Sequence, residues 1–299
     1  MGNNPTALQM ITTRFLRALL RGVGQIFLQR SAWCGLACLV ALALQSTIMA
    51  LACLLGALAA TLLARTWPDG QALDDGLHGY NGALAGLGAM VVLESGVMAW
   101  CMVVLAGLLA TWIGRIWRER LPLPPYTAPF VLVTWLLMAL SGPLALPLAA
   151  PAPPAAAGLG FMADGVLRGI GQVIFLDLPW AGALCALGLA LSSPVVAGCA
   201  LLAAALGMAC ADLLGLPEAM AGLGIYGFNA VLAVEALRPQ AGRRGWWLLL
   251  AAIPVSVALT RAFQLAGLPS LTAPFILGTW LLRCAHTWSS RYALPTSGR

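Results

Sequence analysis

Lysine is missing from this chain: its sixteen basic residues are all arginine, against ten acidic ones. Charge of either sign is scarce, at 9% of 299 residues, where soluble domains carry about 25%. With 61% of the residues hydrophobic, no soluble core could bury so much apolar chain, so the solvent must be lipid. A signal peptide is not expected either, because the first long apolar run begins near Trp33, too late and too long for one. Nor is there a basic stripe for nucleic acid. The arginines sit between apolar spans and read as positive-inside loops, which puts both termini in the cytoplasm and the protein in the cell (inner) membrane. The two histidines, His78 and His286, lie in a loop and near the C-terminus and look incidental; a conducting ammonia pore would be expected to carry them in mid-span. All eight cysteines fall in apolar stretches. Cys34 and Cys38 are one helical turn apart but have no neighbouring His or acid, so they read as small buried hydrophobes, with no metal or cofactor implied.

What the chain does have is a repeat. RGVGQIFLQRSAWCG from Arg21 matches RGIGQVIFLDLPWAG from Arg168, which sets Gln25 against Gln172, 147 positions on (172 − 25). HGYNGAL from His78 matches YGFNAVL from Tyr226, and YTAPFVLVTWLL from Tyr126 matches LTAPFILGTWLL from Leu271. Three colinear matches at nearly constant spacing mean two copies of one unit, 1–152 and 153–299.

The first copy opens with an amphipathic, Arg-bearing segment. Two helices turning near Gln45-Ser46-Thr47 follow, then a loop over 65–78, a span from Gly79 to a break at Glu94-Ser95-Gly96, a span to about Trp112, and a fifth span opened by PLPPYTAP. The uncharged Pro/Ala-rich linker 143–158 suits an external loop. Five spans leave the ends of a copy on opposite faces, so the second copy is expected upside down. The charges agree. Arg238, Arg243 and Arg244 fall on the inner side with Arg291 and Arg299, whereas the Asp212–Glu218 loop falls outside. The expected fold is thus an all-α polytopic membrane protein: two inverted repeats of about five transmembrane helices each, with re-entrant or half helices around a central pore. The Gly-Gln and Thr-Ala-Pro elements are the expected half helices, since irregular backbone at membrane depth is tolerated only inside protein or along an aqueous path.

The candidate lining is Gln25, Tyr80, Asn81, Leu84 and Thr127 in one copy and Gln172, Phe228, Asn229, Leu232 and Thr272 in the other. These groups carry no charge. Glu94 and Glu235 lie near span ends and read as surface acids. Ring faces, amides and hydroxyls suit a small, neutral, polar solute.

GQVIFLDLPWAG, GIYGFNAVL and LTAPF resemble the urea transporter family, and the resemblance covers nearly the whole chain. It implies a channel-like protein, usually a homotrimer with one pore per subunit, passing urea or close short amides down their gradient. It further implies an outer and an inner slot of aromatic rings, each with a row of oxygens. By matching motif, Gln25 and Gln172 sit at the slot mouths, and Phe175, Tyr80 and Phe228 are slot walls. Val173, Leu84 and Leu232 pack against the path, and Thr127 and Thr272 face each other across its middle. The chain departs from the family where Leu28, preceded by Phe27, occupies the first aromatic position, and at Tyr80, Arg30-Ser31-Ala32 and Asp177-Leu178-Pro179.

Blander readings stand beside these. Gln25 and Gln172 could satisfy freed backbone groups. Thr127 and Thr272, each followed by Ala-Pro, could be helix caps as well as lining. Most Trp residues read as interfacial belts, although Trp33 and Trp180 could pack the halves together. A channel for ammonia or another neutral solute is the alternative. An integral-membrane enzyme is more remote, since Asp74-Asp75 and Asp164 have no catalytic partner at useful spacing.

Overall fold

Each Gly-Gln motif makes the chain turn rather than continue as helix. In the computed structural model, which describes residues 7–150, 160–242 and 245–292, α1 (Ala7–Gly24) runs into a tight turn at Gln25–Phe27, and α8 (Phe161–Gly171) into one at Gln172–Ile174. Leu28 (φ 60°) and Phe175 (φ 62°) close these turns in the left-handed region. Their N–H groups donate to Gln25 O (2.9 Å) and Gln172 O (3.2 Å), and the next N–H in each donates to Gly24 O and Gly171 O. These paired bonds terminate a helix in the manner of a Schellman motif. The chain then restarts as α2 (Ala32–Gln45), capped by Ser31 Oγ, and as α9 (Pro179–Ser192), which has proline in its first turn. The resulting bends are 77° for α1–α2 and 71° for α8–α9.

The remaining elements follow in one order, twice. The first series is α3 (Thr47–Ala64), a short α4 (Gly70–Asp74), α5 (Gly79–Val92), α6 (Val97–Arg120) and α7 (Ala128–Ser141). The second is α10 (Pro194–Leu213), a short α11 (Glu218–Gly222), α12 (Phe228–Ala241), α13 (Trp246–Leu265) and α14 (Ala273–Tyr292). Arg243, Arg244, Arg299 and residues 151–158 of the linker, used above for topology, lie outside the described residues.

Among the described residues four helices, α3, α6, α10 and α13, are long and apolar enough to cross a membrane alone, or up to six spans if each bent pair counts as one. With the two bent pairs and the shorter apolar helices α5 and α7, this agrees with the expected all-α polytopic fold of transmembrane and re-entrant helices. Fourteen residues, as in α5 and α7, reach about 21 Å, short of a hydrocarbon core of about 30 Å. These short helices survive at depth because α3, α6 and their counterparts pack around them. The expected 65–78 loop also contains α4, capped by Asp69, whose Oδ1 accepts from Ala72 N at 3.1 Å.

Close approach at glycine sets the packing. A Cβ at Gly35 would overlap the Leu20 carbonyl, and one at Gly182 the Leu167 carbonyl, so each bent pair depends on the Gly that follows its Trp. α2 and α9 lie against each other, and the last turn of each reaches the other's motif turn. Gln45 Nε2 donates to Asp177 Oδ1 (2.7 Å), and Ser192 Oγ donates to Gln29 Oε1 (3.1 Å). Tryptophan closes the other seam. Trp280 stacks on Trp117 (5.4 Å) and donates to Pro124 O, while Trp135 stacks on Phe263 (6.0 Å) and donates to Pro269 O. Trp33 and Trp180 are instead 67% and 41% exposed, so they belong to the outer surface and do not pack the halves.

Candidate functional site

The motif Arg-Gly-x-Gly-Gln ties the end of one helix to the loop that launches the next. Arg21 Nη1 and Gln25 Nε2 donate to the consecutive carbonyls of Asp74 (3.0 Å) and Asp75 (2.9 Å). Arg168 Nη1 and Gln172 Nε2 donate to Gly222 O (3.1 Å) and Leu223 O (3.2 Å). Gly76 and Gly224, both at φ +76°, let the loop backbone turn against Gly22 and Gly169. The glutamines thus hold backbone, the blander of their two readings, although Gln25 also lines a vestibule described below.

The loop delivers α5 and α12, whose second and third residues, and first and second, are the aromatic and the Asn of the repeat. Both asparagines are buried and do not line a path. Asn81 Oδ1 accepts Phe130 N (3.1 Å) while its Nδ2 donates to Tyr126 O (3.0 Å); Asn229 Oδ1 accepts Phe275 N (3.1 Å) while its Nδ2 donates to Leu271 O (3.3 Å). The expectation that they line the pore is corrected by this arrangement. In Thr-Ala-Pro-Phe the proline has no N–H, and the Phe N–H that would bond the carbonyl four residues back goes to Asn instead. Tyr126 O and Leu271 O are thereby released from their helices. The residues carrying them sit at φ 45° and 44°.

Thr127 and Thr272 follow these carbonyls. Their Oγ1 atoms are 2.6 Å apart, hydrogen-bonded to each other and buried. Thr127 makes no side-chain cap bond, so its hydroxyl serves this contact. A pair that close admits no solute between its members, which corrects the picture of two threonines on opposite sides: they form one buried polar point where the two copies meet.

Tyr80, Phe228, Leu84, Leu232 and Val173 are all buried, between 1% and 7% exposed. Leu28 and Phe175 are half-buried at equivalent left-handed corners. Phe27, the aromatic one position early, is fully buried in the core and does not substitute for a slot wall at Leu28. Phe175 meets Phe130 edge to face at 6.1 Å, and Tyr126 meets Phe275 at 5.1 Å.

Two pockets near the expected site differ. One, a vestibule of about 590 Å³, is lined by Gln25, Leu28, Tyr126 and the arginines Arg30, Arg118, Arg238 and Arg283, among others. Arg30 pairs with Asp75 (3.1 Å), Arg238 with Glu235 (3.3 Å), and Arg283 donates to the Tyr126 hydroxyl (3.3 Å). Glu235 is buried and not the surface acid expected, because it lies on the buried length of α12 with Arg238 as its ion-pair partner; Glu94 is exposed, as expected. In the other, Trp135, Met138, Leu268 and Pro269 line an apolar pocket of about 320 Å³. His78 is not incidental either. It is buried beneath Trp67 and Arg118, whose Nη2 lies 2.7 Å from its Nδ1. Burial first, and Arg118 second, push its pKa down to about 4. At the surface, the hydrogen bond from Arg14 holds the Asp74 carboxyl below its ordinary range.

Sequence reasoning passed over Tyr126, Arg118 and Arg283. Tyr126 stood in the repeated motif but differs between copies, and neither arginine has an arginine at the matching place in the other copy. Among the described residues, no group of three or more His, Cys, Asp or Glu could hold a metal ion.

A polytopic helical membrane protein with two matched bent helix pairs and a buried threonine pair joining its copies defines the class. The chain belongs to the urea transporter family, whose sequence model matches residues 16–287. It is similar to urea transporter 1 of Ovis aries and of Capra hircus, each 26% identical over 99% of this chain and 82% of the mammalian protein. Urea transporter 1 of Rattus norvegicus is 25% identical over 96% of this chain and 81% of its own length.

Proposed function

We propose that this chain is a passive channel that conducts urea or a close short amide down its gradient. The observation that carries this reading is the Asn-released carbonyl beside a hydroxyl, found once in each copy and joined at the Thr127–Thr272 contact. Urea entering a narrow apolar passage loses water from its carbonyl and both NH₂ groups. Leaving such an amide unpaired costs roughly 2–7 kcal/mol, enough to stop flux. Carbonyl and hydroxyl oxygens along one wall replace that hydration, and the aromatic faces take the flat of the molecule. Ions fail in the same passage because their desolvation cost is far larger and the wall offers no charge.

In this reading the copies are inverted repeats, 1–152 and 153–299, and the matched order of elements supports it. The arginine-lined vestibule opens to the cytoplasm with both termini, in keeping with positive-inside bias, and the membrane is the inner one. The channel works as a homotrimer, as the resemblance implies, and needs neither cofactor nor catalysis. Stopped-flow light scattering on proteoliposomes tests the function with inward gradients of urea, acetamide, formamide and sodium chloride. Fast reswelling with urea and none with salt is the expected result. Urea flux no faster than in empty liposomes overturns it.

A further inference from the structure

The released carbonyls are not equally available. Tyr126 O accepts two hydrogen bonds, from Asn81 Nδ2 at 3.0 Å and from the Tyr80 hydroxyl at 2.6 Å. A carbonyl oxygen has two lone pairs, so both are engaged. In the other copy the residue matching Tyr80 is Phe228, which has no hydroxyl. Among the described residues, Leu271 O therefore accepts only the longer bond from Asn229 Nδ2, at 3.3 Å, and keeps a lone pair for a solute N–H.

The corner residues carry the same bias. Phe175 offers a ring at its left-handed corner, braced edge to face by Phe130. Leu28, at the equivalent corner, offers an aliphatic chain, and Phe27 beside it is turned into the core and fully buried. One slot thus has two aromatic walls and a free acceptor; the other has one aromatic wall and an acceptor already filled.

Resting on the channel reading, we propose that this chain has one strong amide-binding slot, at Phe175, Phe228 and the Leu271 carbonyl, and one weak slot at Leu28 and Tyr80. Tyr80 is the specificity-determining residue: its hydroxyl takes the lone pair that the solute N–H would use. One hydrogen bond and one aromatic face together make the weak slot about tenfold poorer in affinity.

Crystals soaked in selenourea test this directly, since that probe keeps both NH₂ groups and marks its position by selenium scattering. At a concentration that half-fills the better slot, the selenium peak beside Phe175 and Phe228 should be about fivefold stronger than any peak beside Tyr80. The double variant Leu28→Phe/Tyr80→Phe should raise the second peak toward the first. Equal peaks in the parent chain, a peak only beside Tyr80, no peak in either slot, or no gain in the variant would each overturn the proposal. Liposome flux on the same preparation separates the two claims. No urea flux overturns the channel, whereas urea flux with two equal peaks overturns only the inequality of the slots.

Discussion

The two copies agree in how they hold backbone and disagree in what they present. Arg21 and Gln25 reach the carbonyls of Asp74 and Asp75 just as Arg168 and Gln172 reach those of Gly222 and Leu223, within 0.3 Å or less of the same lengths (3.0 and 2.9 Å against 3.1 and 3.2 Å). Asn81 and Asn229 capture the same helix N–H at the same 3.1 Å. The side chains around them differ: Leu28 against Phe175, Tyr80 against Phe228, and an arginine-lined pocket against an apolar one. Bonds that must be satisfied at membrane depth tolerate little change. Groups that meet a passing solute can be altered without unfolding the frame.

The agreement breaks most severely at the glycines of close approach. Gly35→Val and Gly182→Val should each abolish recovery of monodisperse protein on size exclusion, because the added side chain overlaps a helix carbonyl that cannot retreat. A variant tolerated in one copy only would show that the two bends are not built alike.

A smaller effect distinguishes the copies. Asn229→Leu strips the Leu271 carbonyl of its partner and orphans Phe275 N, at a cost of about 2–4 kcal/mol. Asn81→Leu orphans Phe130 N but leaves Tyr80 on the Tyr126 carbonyl, so the cost falls to about 1–3 kcal/mol. Thermal unfolding in detergent should rank Asn229→Leu below Asn81→Leu; the reverse order would deny the Tyr80 bond its role.

The Thr127→Val/Thr272→Val variant removes the polar point that the copies share. Urea flux should fall about tenfold with assembly intact, the equivalent of leaving one solute group unpaired. Unchanged flux would remove the threonines from the path.

The mildest effect concerns pH and belongs to one copy, since Tyr226 stands where the first copy has His78. The folded pKa of His78, about 4, lies below its ordinary 6.5. The neutral ring is therefore the one the fold accommodates, and stability is complete above about 6.5 and declines as pH falls toward about 4. Melting curves of His78→Gln should be flatter over that window than those of the parent chain.

Much of the frame is legible in the sequence. The Arg-Gly-x-Gly-Gln, aromatic-Asn and Thr-Ala-Pro-Phe motifs marked both bends and the starts of α5, α7, α12 and α14, because a chain in lipid cannot leave backbone unpaired and such interruptions need dedicated residues. Less legible was the division of labour inside a motif. Gln25, Asn81 and Thr127 all read as polar lining, yet two of them carry amide bonds to backbone, and the third meets its own counterpart. Spacing along a chain says that residues belong together; it does not say which atom each one faces.

Composition and the repeat by themselves determined a lipid-embedded helical protein, the places where its helices break, and the neutral character of its polar groups. Those follow from hydropathy, from the missing N–H of proline and from the near-absence of charge inside the spans. Tertiary structure alone decided that Tyr80 fills a carbonyl which Phe228 leaves open, that Phe27 turns to the core, and that two threonines 145 positions apart share one hydrogen bond. Each of these is a matter of distance between atoms far apart in sequence. Such distances exist only once the two copies have packed.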